Sequence, residues 1–288
     1  VVVEVGDPVE TLFQALVTGI ITAVTLVLTL SQLVLSQELG AAGDQRERMT
    51  GAMEFRRDVA DAIGTAVSPA EPSAFLRSLV RATGEQAGDV ADAFDSERSD
   101  EELTDLLSTY LDSVTGNADT VADQLEGANF GEFDVLKAAL DYNYSWKLYA
   151  GRRISEDYAD QLSEDARTAL ERLTDTLELF GPAREHFKTL YFQWELSNLS
   201  RALLYVAIPA LAVTIGSLLF FDPRDFAGLT LGVANSLLLA SAATTLSLTP
   251  FTLLLSYILR IVTVTKRTLS IGPFILRETD RSVDVEWD

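Results

Sequence analysis

Apolar residues along the chain gather in four dense blocks, and a long stretch between the first two mixes apolar and charged positions at helical spacing. The first block, 12–35, is interrupted only by uncharged polar residues. At a rise of about 1.5 Å per residue it is long enough to cross a hydrocarbon core of about 30 Å. The second, 199–221, contains Pro209, which a spanning helix accommodates as a kink. Tyr191, Phe192 and Trp194 stand just before it, where an aromatic belt belongs. Asp222-Pro223-Arg224-Asp225 reads as a tight polar turn. The third block, 226–245, leads to a Ser247-Leu248-Thr249-Pro250 break, and the fourth covers 251–264.

The stretch 37–197 reads as helix throughout. Val59, Ile63 and Val67, then Phe75, Leu79 and Val80, then Leu162, Leu170, Leu173 and Leu177 recur with the helical period. Ser99-Asp100-Glu101-Glu102 has the form of a capping box ahead of Leu103, Leu106 and Leu107. Gly64, Ser68-Pro69, Gly116-Asn117, Gly127 and Gly181-Pro182 mark breaks, with the mid-domain turn at either Gly116 or Gly127. No segment alternates with period two for long enough to make a sheet. The fold class predicted is all-α: polytopic transmembrane helices with a helical-bundle soluble domain inserted between the first and second spans. Residues 1–36 form the tail and first span, 37–197 the domain, 198–265 three further apolar segments, and 266–288 a C-terminal tail.

Charge sets an expected orientation. Arg46, Arg48, Arg56 and Arg57 follow the first span, and Arg184, Lys188 and Arg201 flank the second. Glu4, Asp7 and Glu10 precede the first block without a basic residue or a small-residue cleavage site, so that block is expected to be a retained span of a cell-membrane protein. The positive-inside rule then puts the N-terminus outside and the domain in the cytoplasm. Four spans would leave Lys266, Arg267, Arg277 and Arg281 outside, against the rule; three would satisfy it if the last two blocks were one bent crossing. Yet 226–264 would be about 58 Å long as helix, nearly twice the core. Four spans are therefore expected.

Composition changes the picture in one respect. The net charge is −21 and only four lysines occur, Lys137, Lys147, Lys188 and Lys266. Such acidity repels phosphates, which argues against nucleic acid as a partner. Acidic excess, scarce lysine and no cysteine together resemble the proteins of haloarchaea. That resemblance implies a cytosol so salty that the Debye length is about 3 Å or less, where carboxylate repulsion is screened. Without cysteine, disulfides and thiolate chemistry are excluded.

The most informative pattern lies in the first block. Thr11, Thr18, Thr22, Thr25, Thr29, Gln32 and Ser36 are spaced by 7, 4, 3, 4, 3 and 4 residues, which puts them on one helix face. Uncharged oxygens running through the bilayer would line a water-filled conduit. Threonines that merely bond to their own helix or glue two helices would give the same spacing. In the third block Gly228, Gly232, Ser236 and Ala240 repeat every four residues, a face on which helix backbones pack closely. Arg260, near the end of the fourth block, is expected to snorkel to the interface. Tyr142, Trp146 and Tyr149 are expected to share a helix face in the core, and the Glu156, Asp157, Asp160 and Asp95, Glu97, Asp100, Glu101 groups to be solvated.

No phosphate loop, HExxH, GxSxG or calcium-loop pattern occurs, and His186 is the single histidine. Neither enzymatic activity nor a cofactor nor a metal site is expected. The reading that fits best is a homo-oligomeric channel for inorganic ions, with Thr18, Thr22, Thr25, Thr29 and Gln32 lining the pore and Gly228, Gly232 and Ser236 packing helices. Its partners would be the lipid bilayer and further copies of the chain. The alternative is a membrane-anchored sensory or scaffold protein whose helical domain binds a partner.

Overall fold

A computed structural model of the chain describes residues 8–38, 42–94, 99–128 and 133–268. Glu4, Asp7, Asp95, Glu97, Arg277 and Arg281, to which roles were assigned above, lie outside them. The described elements run α1 (Pro8–Glu38), α2 (Ala42–Ala62), α3 (Pro72–Ala93), α4 (Glu101–Leu125), α5 (Phe133–Asp141), α6 (Tyr144–Asp157), α7 (Glu164–Phe220), a 3-10 turn (Pro223–Phe226), β1 (Leu229–Thr230), β2 (Val233–Ala234) and α8 (Asn235–Thr268). The protein is mostly helical, and among the described residues α1, α7 and α8 are long and apolar enough to cross a membrane. The chain divides into two compact units, residues 1–40 with 193–263 and residues 41–192 with 264–288.

Local chemistry explains where the helices of the second unit begin. The Glu71 carboxylate accepts the Ala74 amide at 2.7 Å, and Pro72 opens α3 with its backbone preset. α4 is capped by Asp100, whose carboxylate accepts the Leu103 amide at 2.8 Å. The cap thus falls one residue after Ser99, the serine of the expected capping box. Asn143 caps α6 and Ser163 caps α7 in the same manner. α4 continues through Gly116, and the turn falls at Gly127, which takes φ +68°.

One face of each helix enters a common core. Phe75, Leu79, Val80, Leu103, Leu107, Tyr110, Leu170, Leu173, Leu177 and Phe180 are all buried there. Val67, expected on that face, is instead exposed in the loop after α2. Gly181-Pro182 does not break α7. Gly181 is there because the Tyr144 ring lies against it: a Cβ would stand 3.0 Å from the Tyr144 hydroxyl. Gly151 of α6 is tighter still, since a Cβ would meet the Tyr110 hydroxyl at 2.6 Å and Thr174 Cγ2 at 2.8 Å. Gly151→Ala should therefore cost about 2 kcal/mol through overpacking. Gly116→Ala, with nothing within 4 Å, should gain up to about 1 kcal/mol from helix propensity. Urea unfolding of the two variants checks the sign; equal effects would refute the close-approach argument.

In the first unit α1 lays Phe13, Leu16, Ile20, Ala23 and Val27 against its neighbours. Ile20 packs with Ala207 and Ala210 of α7 and with Phe251 of α8, while Val27 packs with Leu199, Leu203, Leu253 and Leu254. A Cβ on Gly19 would stand 3.0 Å from Phe251, so that glycine sets the distance between α1 and α8. The expected four spans are corrected here to three candidate spans. Residues 226–234 are not α-helical: Phe226 closes the 3-10 turn, and the antiparallel hairpin of β1 and β2 follows, pairing Leu229 with Ala234 and Thr230 with Val233. Counting them as helix made a single crossing look too long. The remaining candidate span, Asn235–Thr263, has 29 residues, about 44 Å of helix, which fits a tilted crossing.

Pro250 does not end this helix. It removes the amide that would bond the Leu246 carbonyl, and the Thr249 hydroxyl donates to that carbonyl at 2.6 Å instead.

Candidate functional site

The threonine positions of α1 are the candidate site. At about 100° per residue, Thr18, Thr22, Thr25, Thr29 and Gln32 lie about 180° around the helix from the buried face of Phe13, Leu16, Ile20, Ala23 and Val27. All five polar residues are exposed in the single chain. Packing within the chain therefore uses the opposite face of α1, and the stripe is not glue for α7 or α8. Thr18, Thr22 and Thr29 each donate to the carbonyl four residues earlier, at 3.1, 2.8 and 2.8 Å. This bonding satisfies each hydroxyl's proton and leaves oxygen lone pairs on the outer surface of the helix.

Polar contacts inside the unit come from other residues. Ser31 of α1 meets Ser200 of α7, and the Thr214 and Ser247 hydroxyls meet at 2.7 Å between α7 and α8. Glu195 of α7 is 2 % exposed and accepts from the Arg260 guanidinium of α8 at 2.5 Å. Sequence reasoning had Arg260 snorkel on its own; its partner is 65 residues away, and no local pattern announces it.

The close-packing face in the third block is not formed. Gly228 precedes the hairpin and Gly232 lies in its turn, with φ of +122° and +81°, so they share no helix face with Ser236 of α8. A four-residue repeat of glycines carries no side-chain signal that separates a helix from a turn, and here the turn needs the positive φ. Within the first unit, Gly19 provides the close approach that these glycines were expected to supply.

The second unit holds a buried polar cluster that the sequence did not reveal. Lys147 is fully buried; its ammonium donates to Asn117 Oδ1 at 2.9 Å and sits 5.3 Å from the Tyr142 ring centroid. Desolvation lowers its pKa to about 7. The Tyr142 hydroxyl pairs with Thr83 at 2.5 Å, and Tyr110 donates to the Lys147 carbonyl. Burial raises the pKa of both phenols. Tyr142 and Trp146 join the core, whereas Tyr149 is exposed, and Tyr142 precedes α6 instead of sharing its face. Of the acidic groups, Asp157 pairs with Arg153, and Asp100 accepts from Leu103 and Gln161. Among the described residues no group of three or more His, Asp or Glu side chains is placed to hold one metal ion.

The chain belongs to a family of unknown function (DUF7972), whose model matches residues 1–288. No curated protein and no solved structure matches it.

Proposed function

We propose that this member of DUF7972 is a homo-oligomeric membrane channel, in which α1 from several copies turns its threonine face toward a shared conduit for inorganic ions. One observation carries this reading: the polar stripe lies opposite the face α1 uses inside its own chain. Facing lipid, five polar side chains would waste the most exposed arc of the helix; facing other copies, they give the conduit a wall of uncharged oxygens. The acidic helices α2 to α6 form a water-facing domain inserted between the first and second spans. Three spans support the orientation with the N-terminus outside and the domain cytoplasmic. The tail bearing Lys266, Arg267, Arg277 and Arg281 then shares the side of Arg46, Arg48, Arg56 and Arg57, as the positive-inside rule asks.

The bonding of Thr18, Thr22 and Thr29 to their own helix favours a second reading, a membrane-anchored sensory or scaffold protein whose stripe only packs. Single cysteines separate the two, because the chain has none of its own. In reconstituted vesicles Thr22→Cys and Thr25→Cys should react with a small water-soluble thiol reagent and lose conductance on modification. Val24→Cys and Val27→Cys, on the packed side of α1, should not react. Glu85→Cys in α3 should be protected from an impermeant reagent in right-side-out vesicles. Unreactive threonine positions would leave the scaffold reading standing, and a labelled Glu85 position would reverse the orientation.

A further inference from the structure

We infer that the hairpin between α7 and α8 is a membrane-interfacial wedge whose tip, Leu231, inserts among lipid headgroups and the upper acyl chains. The inference rests on the membrane reading above and adds a contact surface to it. Its ground is a mismatch between backbone and side chain. The two-residue loop Leu231-Gly232 has φ of +54° and +81°, both in the left-handed region that suits a tight hairpin. Asn, Asp or Gly relieve strain at the first of these positions; leucine does not. Leu231 is the single positive-φ residue other than glycine among the described residues, and it is 99 % exposed. Neither backbone preference nor packing within the chain accounts for a leucine there.

The surroundings of the tip identify what covers it. Leu229 and Val233 are exposed beside it, and Leu219, Phe220 and Leu237 are exposed on the adjoining helix ends. Phe221 and Phe226 stack at 5.7 Å across the polar turn of Asp222, Arg224 and Asp225. The loop is pinned at its base: the Asn235 amide donates to the Gly228 carbonyl at 3.1 Å, and Thr230 donates to Asn235 at 2.7 Å. Few residues separate the end of one candidate span from the start of the next, so the hairpin has to lie at the bilayer surface. With the exposed apolar side chains of the tip and of both helix ends set at that surface, lipid is the occupant of this patch. The Asp222, Arg224 and Asp225 side chains supply the polar edge that keeps the turn from sinking deeper.

The test places an environment-sensitive NBD fluorophore on Leu231→Cys, Leu229→Cys, Asp225→Cys and Leu246→Cys, each in the full chain reconstituted in phosphatidylcholine vesicles. Labels at 231 and 229 should emit to the blue of the label at 225 and lose intensity when nitroxide is placed near the lipid headgroup. The label at 246, exposed midway along α8, should be quenched by nitroxide deep in the acyl chains. A quenched label at 246 with a water-like label at 231 would overturn the wedge and leave the span intact. Blue-shifted but unquenched labels at 231 and 229 would also overturn it, because protein and not lipid would then cover the tip. An unquenched label at 246 would overturn the membrane reading and this inference with it.

Discussion

Replacing Lys147 with methionine is expected to stabilise the chain by about 3 kcal/mol at pH 6 and to change it little by about pH 9.5. The side chain is fully buried, with Asn117 and the face of Tyr142 as its neighbours, so its charge is held in a poorly polarisable site. In the folded protein its pKa is lowered to about 7, against 10.5 for a free lysine. Below pH 7 both folded and unfolded states carry the charge, and the folded state bears the full cost of burying it. Between pH 7 and 10.5 the unfolded chain binds more protons than the folded one, so stability rises with pH. Methionine keeps most of the packing and carries no proton. It loses the bond to Asn117, which costs about 1 kcal/mol and sets the small residual at high pH. Comparing unfolding midpoints of the two proteins at each pH isolates this residue from the other titrating groups. Tyr110 and Tyr142, whose pKa values are raised by burial, restrict the useful window to below about pH 10. A difference that stays constant from pH 6 to pH 9.5 would show that Lys147 keeps its proton in the folded core as it does in the unfolded chain, so that burial does not lower its pKa.

The second large effect is expected at Glu195 and Arg260. Arg260→Leu should destabilise the first unit by about 3 kcal/mol, because it leaves a nearly inaccessible carboxylate without that guanidinium. Glu195→Leu alone should cost less, since half of the Arg260 side chain is exposed and can reach water or headgroups. The double replacement should return to within about 1 kcal/mol of the parent, as apolar pairs commonly do where a buried ion pair is removed whole. A double-mutant cycle on detergent-solubilised protein reads the coupling directly. Additive losses would mean that the two side chains act independently.

Periodicity made much of the fold legible. Phe75, Leu79 and Val80 in α3, Leu103 and Leu107 in α4, and Leu170, Leu173 and Leu177 in α7 are buried where their spacing placed them. The apolar blocks correspond to α1, the later part of α7 and α8. What escaped were features whose cause lies far along the chain or in the backbone. Prolines at 182 and 250 read as breaks, yet each stays inside a helix, as Pro209 was expected to. At Pro250 a single hydroxyl bond replaces the one the ring removes. Gly228 and Gly232 imitated a helical repeat, and only the φ values distinguish them. Lys147 lay in an aromatic-rich segment too short to say which side was buried, and its partner Asn117 comes from another helix. The stripe of α1 was legible residue by residue, but its position opposite the packed face was not, because that depends on where α7 and α8 dock.

The Thr249 hydroxyl at the Leu246 carbonyl also bears on how α8 would enter a bilayer in the first place. Residues 235–249 and 251–263 each give about 20 Å of helix, short of a hydrocarbon core of about 30 Å. Had Pro250 parted them, an insertion machinery weighing each piece would have met two segments too short to be retained. With the carbonyl satisfied from within, the piece is weighed whole. It follows the apolar part of α7 after one short loop, so the two can be released into lipid together as a helical pair. One hydroxyl bond thus bears on whether the candidate span Asn235–Thr263 is weighed as a single membrane signal or as two short pieces.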